Sequence, residues 1–370
     1  MKQISVVVAD SSPFVCRLLQ SYLNSAADIC VAGAAQQGQQ MIELVESLHP
    51  DVVTVGLEMP DMTGLQILQT IQQSHRTPAI VISGAHLQAA SMTLEAMEHG
   101  AVDFVCKFTP GTTTTPATLR EEIIGKVRMA AASNLLALPS TTANEGPAKS
   151  PAEANAKLKK LLSTLGATDK AVPKPKAAPL TAATPPEQVI VAGASTGGPV
   201  ALRQLLSHFP ADFPGSILVV QHLPPTFTAV LAEQLDKQLA LPVKEAAAGD
   251  RLQRASVLIT PGGAHVEIEP GGHLNFTAVG ASELHQPSIN RTMQSAAAVY
   301  GKQARGVLLT GMGDDGVAGL AAIRQRGGTT FAQAPASCTV KGMPQRAIEA
   351  GVVDLIAAPE EIARLLLTGY

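Results

Sequence analysis

Two series of short apolar runs, each run followed by a helix-length amphipathic stretch, constrain this chain more than any other feature. The first series runs through residues 4–9, 29–32, 52–55, 79–82 and 103–106, with helical stretches such as 14–25, 38–48 and 88–98 between them. A fifth helix is expected near 119–136. The second series starts at about Gln188. It places strands at 189–192, 217–220, 257–260, 307–310 and 329–331, and helices at 199–208, 227–239, 289–300 and 317–326. Short strands alternating with helices of this length predict parallel sheets covered on both faces. The 370 residues are enough for two such domains and a linker.

Residues 138–187 read differently, with Ala, Pro, Thr and Lys dominating, as in Val172-Pro173-Lys174-Pro175-Lys176. This is a linker composition. One island, from Ser150 to Gly166, has a capping-box spacing and places Leu158, Leu161, Leu162 and Leu165 on one helical face. The expected division is therefore 1–125, 126–187 and 188–370. A net charge of −3 with no basic block argues against nucleic-acid binding. The amino terminus has no signal-peptide layout and no apolar run is long enough to cross a bilayer, so a cytoplasmic protein without membrane insertion is expected. Four cysteines, Cys16, Cys30, Cys106 and Cys338, are widely spaced without a CxxC pair, and read as reduced, mostly buried thiols.

Ligands of open parallel sheets gather at the carboxyl ends of the strands. In the first series those ends carry Asp10, Gly56, Ser83 and Lys107. With Val7-Val8-Ala9-Asp10-Ser11-Ser12, Pro50-Asp51-Val52-Val53-Thr54-Val55-Gly56-Leu57-Glu58-Met59-Pro60 and Gly100-Ala101-Val102-Asp103-Phe104-Val105-Cys106-Lys107, residues 1–125 resemble the receiver domain of bacterial response regulators. The resemblance implies a flavodoxin-like (βα)5 domain. In that family an acidic pair holds Mg²⁺, an aspartate takes the phosphoryl group, and a Ser/Thr and a Lys read it. Here Ala9 replaces one acid of the pair, and Gly56 stands where the acceptor aspartate should be. Glycine cannot form an acyl phosphate, so the site is expected to be degenerate: a pseudo-receiver, with neither Glu58 nor Asp61 acting as substitute.

In the second series, Gly193-Ala194-Ser195-Thr196-Gly197-Gly198 lies between a strand and a helix, the context in which a GxSxG turn exposes a serine hydroxyl. Alone, the turn could equally hold a nucleotide phosphate. Two further strand ends carry His222 and the run Gly311-Met312-Gly313-Asp314-Asp315-Gly316. Serine needs a base, and a buried carboxylate fixes the tautomer of that base. The order Ser–His–Asp differs from the Ser–Asp–His order of α/β-hydrolases. His265, His273 and His285 lack metal-ligand spacing, so no metal or other cofactor is expected.

These segments, together with Val220-Gln221-His222-Leu223-Pro224-Pro225, Thr260-Pro261-Gly262-Gly263-Ala264-His265 and Ala336-Ser337-Cys338-Thr339-Val340-Lys341-Gly342-Met343-Pro344, resemble the chemotaxis protein-glutamate methylesterase family of CheB type. The resemblance implies a doubly wound, mostly parallel α/β methylesterase domain. It implies hydrolysis of glutamyl γ-methyl esters, and often deamidation of glutamines, on methyl-accepting chemoreceptors. A chemosensory histidine kinase or adaptor is a further partner of this setting. By position Ser195 resembles the nucleophile, His222 the acid/base and Asp315, rather than Asp314, the residue orienting it. The Met312 N–H matches the oxyanion donor, and Thr196 supports the site. Gln286-Pro287-Ser288-Ile289-Asn290 replaces a usual Arg-Pro-Ser-Val-Asp, and Gln333-Ala334-Pro335 a more acidic stretch, neither expected to touch the triad. Cys338 reads as a structural thiol. Two other readings stand beside the methylesterase: a catalytically weak or inactive scaffold of a chemosensory array, and a serine hydrolase with another ester substrate.

Overall fold

The computed structural model describes residues 3–107, 115–134, 185–278 and 286–368. The stretch 150–166 read as a linker helix, and His285, lie outside the described residues. Five strands, β1 (Ile4–Ala9), β2 (Ile29–Ala35), β3 (Val52–Gly56), β4 (Ala79–Ser83) and β5 (Ala101–Cys106), form a parallel sheet in the order β2-β1-β3-β4-β5. Five helices cover it: α1 (Pro13–Asn24), α2 (Gly38–Leu48), α3 (Gly64–Ser74), α4 (Leu87–Glu98) and α5 (Pro116–Asn134).

Local chemistry sets these elements. Helix α1 starts after Ser12, with Pro13 pre-setting its first turn, and buries Cys16, Leu19 and Leu23 at helical spacing. Helix α3 starts on a Thr63–Gln66 capping box. Strands β3 and β4 are buried throughout, as a central parallel strand covered on both faces must be.

The second half is a seven-stranded sheet in the order β14-β13-β12-β6-β7-β9-β8, parallel in every pair. Its strands are β6 (Val189–Ala194), β7 (Ser216–Gln221), β8 (Val243–Glu245), β9 (Ser256–Ile259), β12 (Ala304–Leu308), β13 (Thr329–Gln333) and β14 (Leu355–Ala357). A separate antiparallel hairpin joins β10 (Ala264–Ile268) to β11 (Leu274–Ala278). The helices are α6 (Gly198–Leu206), α7 (Pro225–Gln238), α8 (Ile289–Tyr300), α9 (Val317–Gln325), α10 (Gly342–Glu349) and α11 (Pro359–Leu367). Among the described residues no helix is long and apolar enough to cross a membrane.

The two halves pack face to face, with α4 against α6 and α7. Phe104 stacks on Phe227, ring centroids 4.5 Å apart and 12° between planes. Both rings are buried, so the stack joins the two cores into one apolar cluster. At its edge Arg203 meets Glu98 at 3.3 Å, and the Gln234 amide reaches Ser91 at 3.4 Å.

Candidate active site

From β6 the chain steps to β7 on one side and returns at β12 on the other. The carboxyl ends of β6 and β12 therefore flank a topological switch point, where open α/β sheets form their crevice. Ser195 follows β6, His222 follows β7, and Met312 and Asp315 lie in the loop after β12. Backbone bonds hold these loops together: Ser195 N–H donates to Thr310 O at 3.0 Å and His222 N–H to Ala194 O at 3.1 Å. The Gln221 amide donates to Ser195 O at 2.9 Å, bridging two of the loops. Small residues make the approach possible. Gly197 turns at φ +75°, and a Cβ on Gly198 would lie 1.9 Å from the Gln221 amide oxygen.

Asp315 is buried, and its carboxylate is surrounded by donors. His222 Nε2 lies 3.0 Å from Oδ2, which also accepts from Ile289 N–H at 2.7 Å. Oδ1 accepts from Asn290 N–H at 2.9 Å and from the Ser288 hydroxyl at 3.3 Å. Burial alone would push this carboxyl up. The His222 bond and the two backbone N–H groups outweigh it and hold the group below the usual carboxylate range. An ionised carboxylate only accepts, so His222 Nε2 carries a proton.

Asp315 and Asn290 exchange helix caps. Asp315 satisfies the first N–H groups of α8, while the Asn290 amide oxygen accepts from Gly316 N–H at 3.0 Å and Gly319 N–H at 2.8 Å at the start of α9. One expectation changes here. The block 286–290 was expected to leave the triad untouched, yet Ser288, Ile289 and Asn290 all bond to Asp315. The reason is tertiary: the amino end of α8 is brought against the loop after β12. The start of α9 is capped by the Asn290 amide oxygen, which reaches in from α8. Asp314 is exposed and faces Arg346 at 3.9 Å.

Thr196 is buried beside Ser195, and its hydroxyl donates to Asp103 Oδ2 of the first domain at 2.5 Å. Asp103 also lies 3.4 Å from Lys126 Nζ. Burial would lower the Lys126 pKa, but the Asp103 and Glu122 carboxylates outweigh it and raise it, so the ammonium stays charged. The Met312 side chain is exposed. Of the four cysteines, expected to be mostly buried, only Cys16 is; Cys30 is exposed and the others are intermediate, all four being free thiols. Burial pushes the Cys338 thiol up to about 12, far from a reactive thiolate. The residues that sequence reasoning passed over are Gln221, His265, Ser288, Asn290 and Asp103. Only Ser288 carried a usable signal, as a serine before an apolar helical run, and that signal points to a cap rather than to Asp315.

At the other strand edge, Lys107 Nζ sits 2.7 Å from the buried Asp10 Oδ2, while Asp10 Oδ1 accepts from Ser12 N–H at 2.9 Å. Ser83 Oγ is 2.6 Å from the Thr93 hydroxyl of α4. A Cβ on Gly56 would lie 2.9 Å from Asp10 Oδ2. Asp61 accepts from Gly38 N–H at 2.7 Å and Gln39 N–H at 2.9 Å, capping α2. The residues here do not fit Mg²⁺: one carboxylate remains of the set, and an ammonium group already lies against it. Among the described residues no cluster of three His, Cys, Asp or Glu could hold a metal ion.

The family model for the CheB methylesterase matches residues 190–366, and that for the response regulator receiver domain matches residues 6–114. A protein-glutamate methylesterase/protein-glutamine glutaminase of Geobacillus kaustophilus is 36% identical over 372 residues, covering 99% of each chain. A protein of the same name from Caldanaerobacter subterraneus is 37% identical, covering 99% of this chain and 96% of its own. The crystal structure of the Thermotoga maritima CheB methylesterase catalytic domain is 35% identical, covers 50% of this chain and 98% of its own, and superposes with a TM-score of 0.47. The chain belongs to the CheB methylesterase family, with a response regulator receiver domain preceding the methylesterase domain.

Proposed function

We propose that this chain hydrolyses glutamyl γ-methyl esters, and deamidates glutamines, on methyl-accepting chemoreceptors, without control by phosphorylation of its receiver. The carrying observation is the buried Asp315 carboxylate 3.0 Å from His222, at the sheet edge that also bears Ser195. The names of the full-length relatives support the substrate class. In this reading His222 Nδ1 takes the proton of Ser195 as Oγ attacks the ester carbonyl. The Met312 N–H receives the oxyanion, and Thr196 supports the site. The bond to the methoxy oxygen then breaks, and His222 returns the proton so that methanol leaves. Water attacks the acyl-serine through the same base and releases glutamate. On glutamine the leaving group is ammonia.

We assign 1–125 to the receiver-like unit, 126–187 to the linker and 188–370 to the catalytic unit, with α5 continuing past the first boundary to Asn134. The absence of a side chain at Gly56 and the Lys107–Asp10 pair support loss of the phosphorylation step. The contact of Asp103 with Thr196 favours one further reading: low activity in the resting chain, the catalytically weak form of a scaffold.

The test is methanol release from methylated receptor signalling domains by the full-length chain and by Ser195→Ala. The variant is expected to lose at least about a thousandfold in rate, and near-normal turnover would refute the assignment. Acetyl phosphate with Mg²⁺ should leave the rate unchanged and the chain unlabelled.

A further inference from the structure

His265 is fully buried on β10, outside the strands that carry the triad. A buried imidazole must be hydrogen-bonded or it costs stability, and one bond made by this ring is specific. Its Nδ1 accepts from Ser288 N–H at 3.1 Å. A ring nitrogen that accepts carries no proton, so Nδ1 is unprotonated. Ser288 caps α8 and places its hydroxyl 3.3 Å from Asp315 Oδ1, and the next two backbone N–H groups hold the same carboxylate at 2.7 and 2.9 Å. Hairpin and helix are joined further along: the Thr292 hydroxyl donates to Val266 O at 2.7 Å and Ile268 N–H to the Ser295 hydroxyl at 2.9 Å. Those two bonds fix the body of α8. The His265 bond fixes its cap residue, next to the N–H groups that hold Asp315.

Resting on the methylesterase reading above, we propose that His265 is a positioning residue: through Ser288 it sets the place of Asp315, and thereby the orientation of His222. It touches neither substrate nor the reacting atoms. An ordinary core histidine would need only its volume and polarity at this position. A positioning residue needs an acceptor at the place of Nδ1.

Two substitutions in the full-length chain separate these roles. His265→Asn puts an amide oxygen near the place of Nδ1. His265→Gln is equally polar but reaches toward the place of Nε2, leaving Ser288 N–H without its acceptor. Small displacements of catalytic groups cost up to about a hundredfold in rate. His265→Gln should therefore lose about 10- to 100-fold in kcat with KM within about twofold, while His265→Asn stays within about threefold of the native kcat. Ser195→Ala is run in the same assay. If it keeps activity, the methylesterase reading fails; if it loses activity, the assay isolates His265. Native kcat in His265→Gln, equal losses in both variants, or a loss confined to KM would overturn the proposal. Nitrogen-15 NMR of histidine-labelled native chain needs no variant: an unprotonated Nδ1 on His265 is expected, and a protonated one overturns the proposal even if neither variant folds.

Discussion

Replacing Asp103 with alanine should raise the activity of the full-length chain. In the structure its carboxylate accepts the Thr196 hydroxyl proton at 2.5 Å, and both side chains are buried, one residue from Ser195. A hydrogen bond to a charged group contributes about 1.5–3 kcal/mol, which corresponds to about a 10- to 150-fold change in the ratio of docked to released receiver. The rest of the interface persists in the variant: the Phe104–Phe227 stack and the Arg203–Glu98 and Gln234–Ser91 contacts. Lys126 also keeps Glu122 at 2.8 Å, so the variant should fold. The expected gain in kcat/KM is therefore about 10- to 100-fold, capped by the rate of the released form. Asp103→Asn keeps the shape and removes the charge, and should give a smaller gain. The assay is methanol release from methylated receptor domains at low substrate, without phosphodonor. An unchanged rate in Asp103→Ala, with Ser195→Ala inactive alongside, would show that the contact restrains nothing. A lower rate would mean that Asp103 assists the reaction.

Asp315→Asn should be destabilised by about 1–3 kcal/mol at pH 7. The native carboxyl lies below its unfolded value, so its contribution is present above the ordinary aspartate pKa of about 3.9 and is lost as pH falls through the folded value. Urea unfolding at pH 7 and at pH 3 should show the gap between native and variant narrowing. Asn290→Ala removes the acceptor for two N–H groups at the start of α9 and should cost about 1–2 kcal/mol in thermal or urea unfolding. Gly56→Asp should remain unlabelled by acetyl phosphate and Mg²⁺, because Ala9 still lacks its carboxylate and Lys107 still holds Asp10; labelling measured on an acid-quenched sample would contradict this.

Much of the fold was legible because its strands are apolar and its helices amphipathic. The run 38–48 and the run 289–300 coincide with α2 and α8. The short elements were not legible. Strands β8 and β14 have three residues each, too few for a period to emerge. Hairpin β10–β11 alternates only weakly, with His265 buried among apolar neighbours. Strand ends could be read for Ser195, His222 and Asp315, since each follows an apolar run and small residues allow the turn. What lies around them could not. Ser288 and Asn290 reach Asp315 across 25 residues or more of chain, His265 reaches Ser288 across 23, and no local pattern records such encounters. Asp103 was more distant still, in another domain, and appeared in the sequence only as one residue of a strand.

The exchange of caps between Asp315 and Asn290 ties two fates together. A carboxylate that secures the start of α8 is kept in place by folding as well as by chemistry. A descendant that ceased to turn over substrate would still lose stability on discarding Asp315, whereas Ser195 lies on a half-buried turn and caps no helix. Drift would therefore remove Ser195 first and Asp315 last. Among related chains, an intact Asp315 beside an altered Ser195 would mark a domain that has left enzymology and kept its architecture.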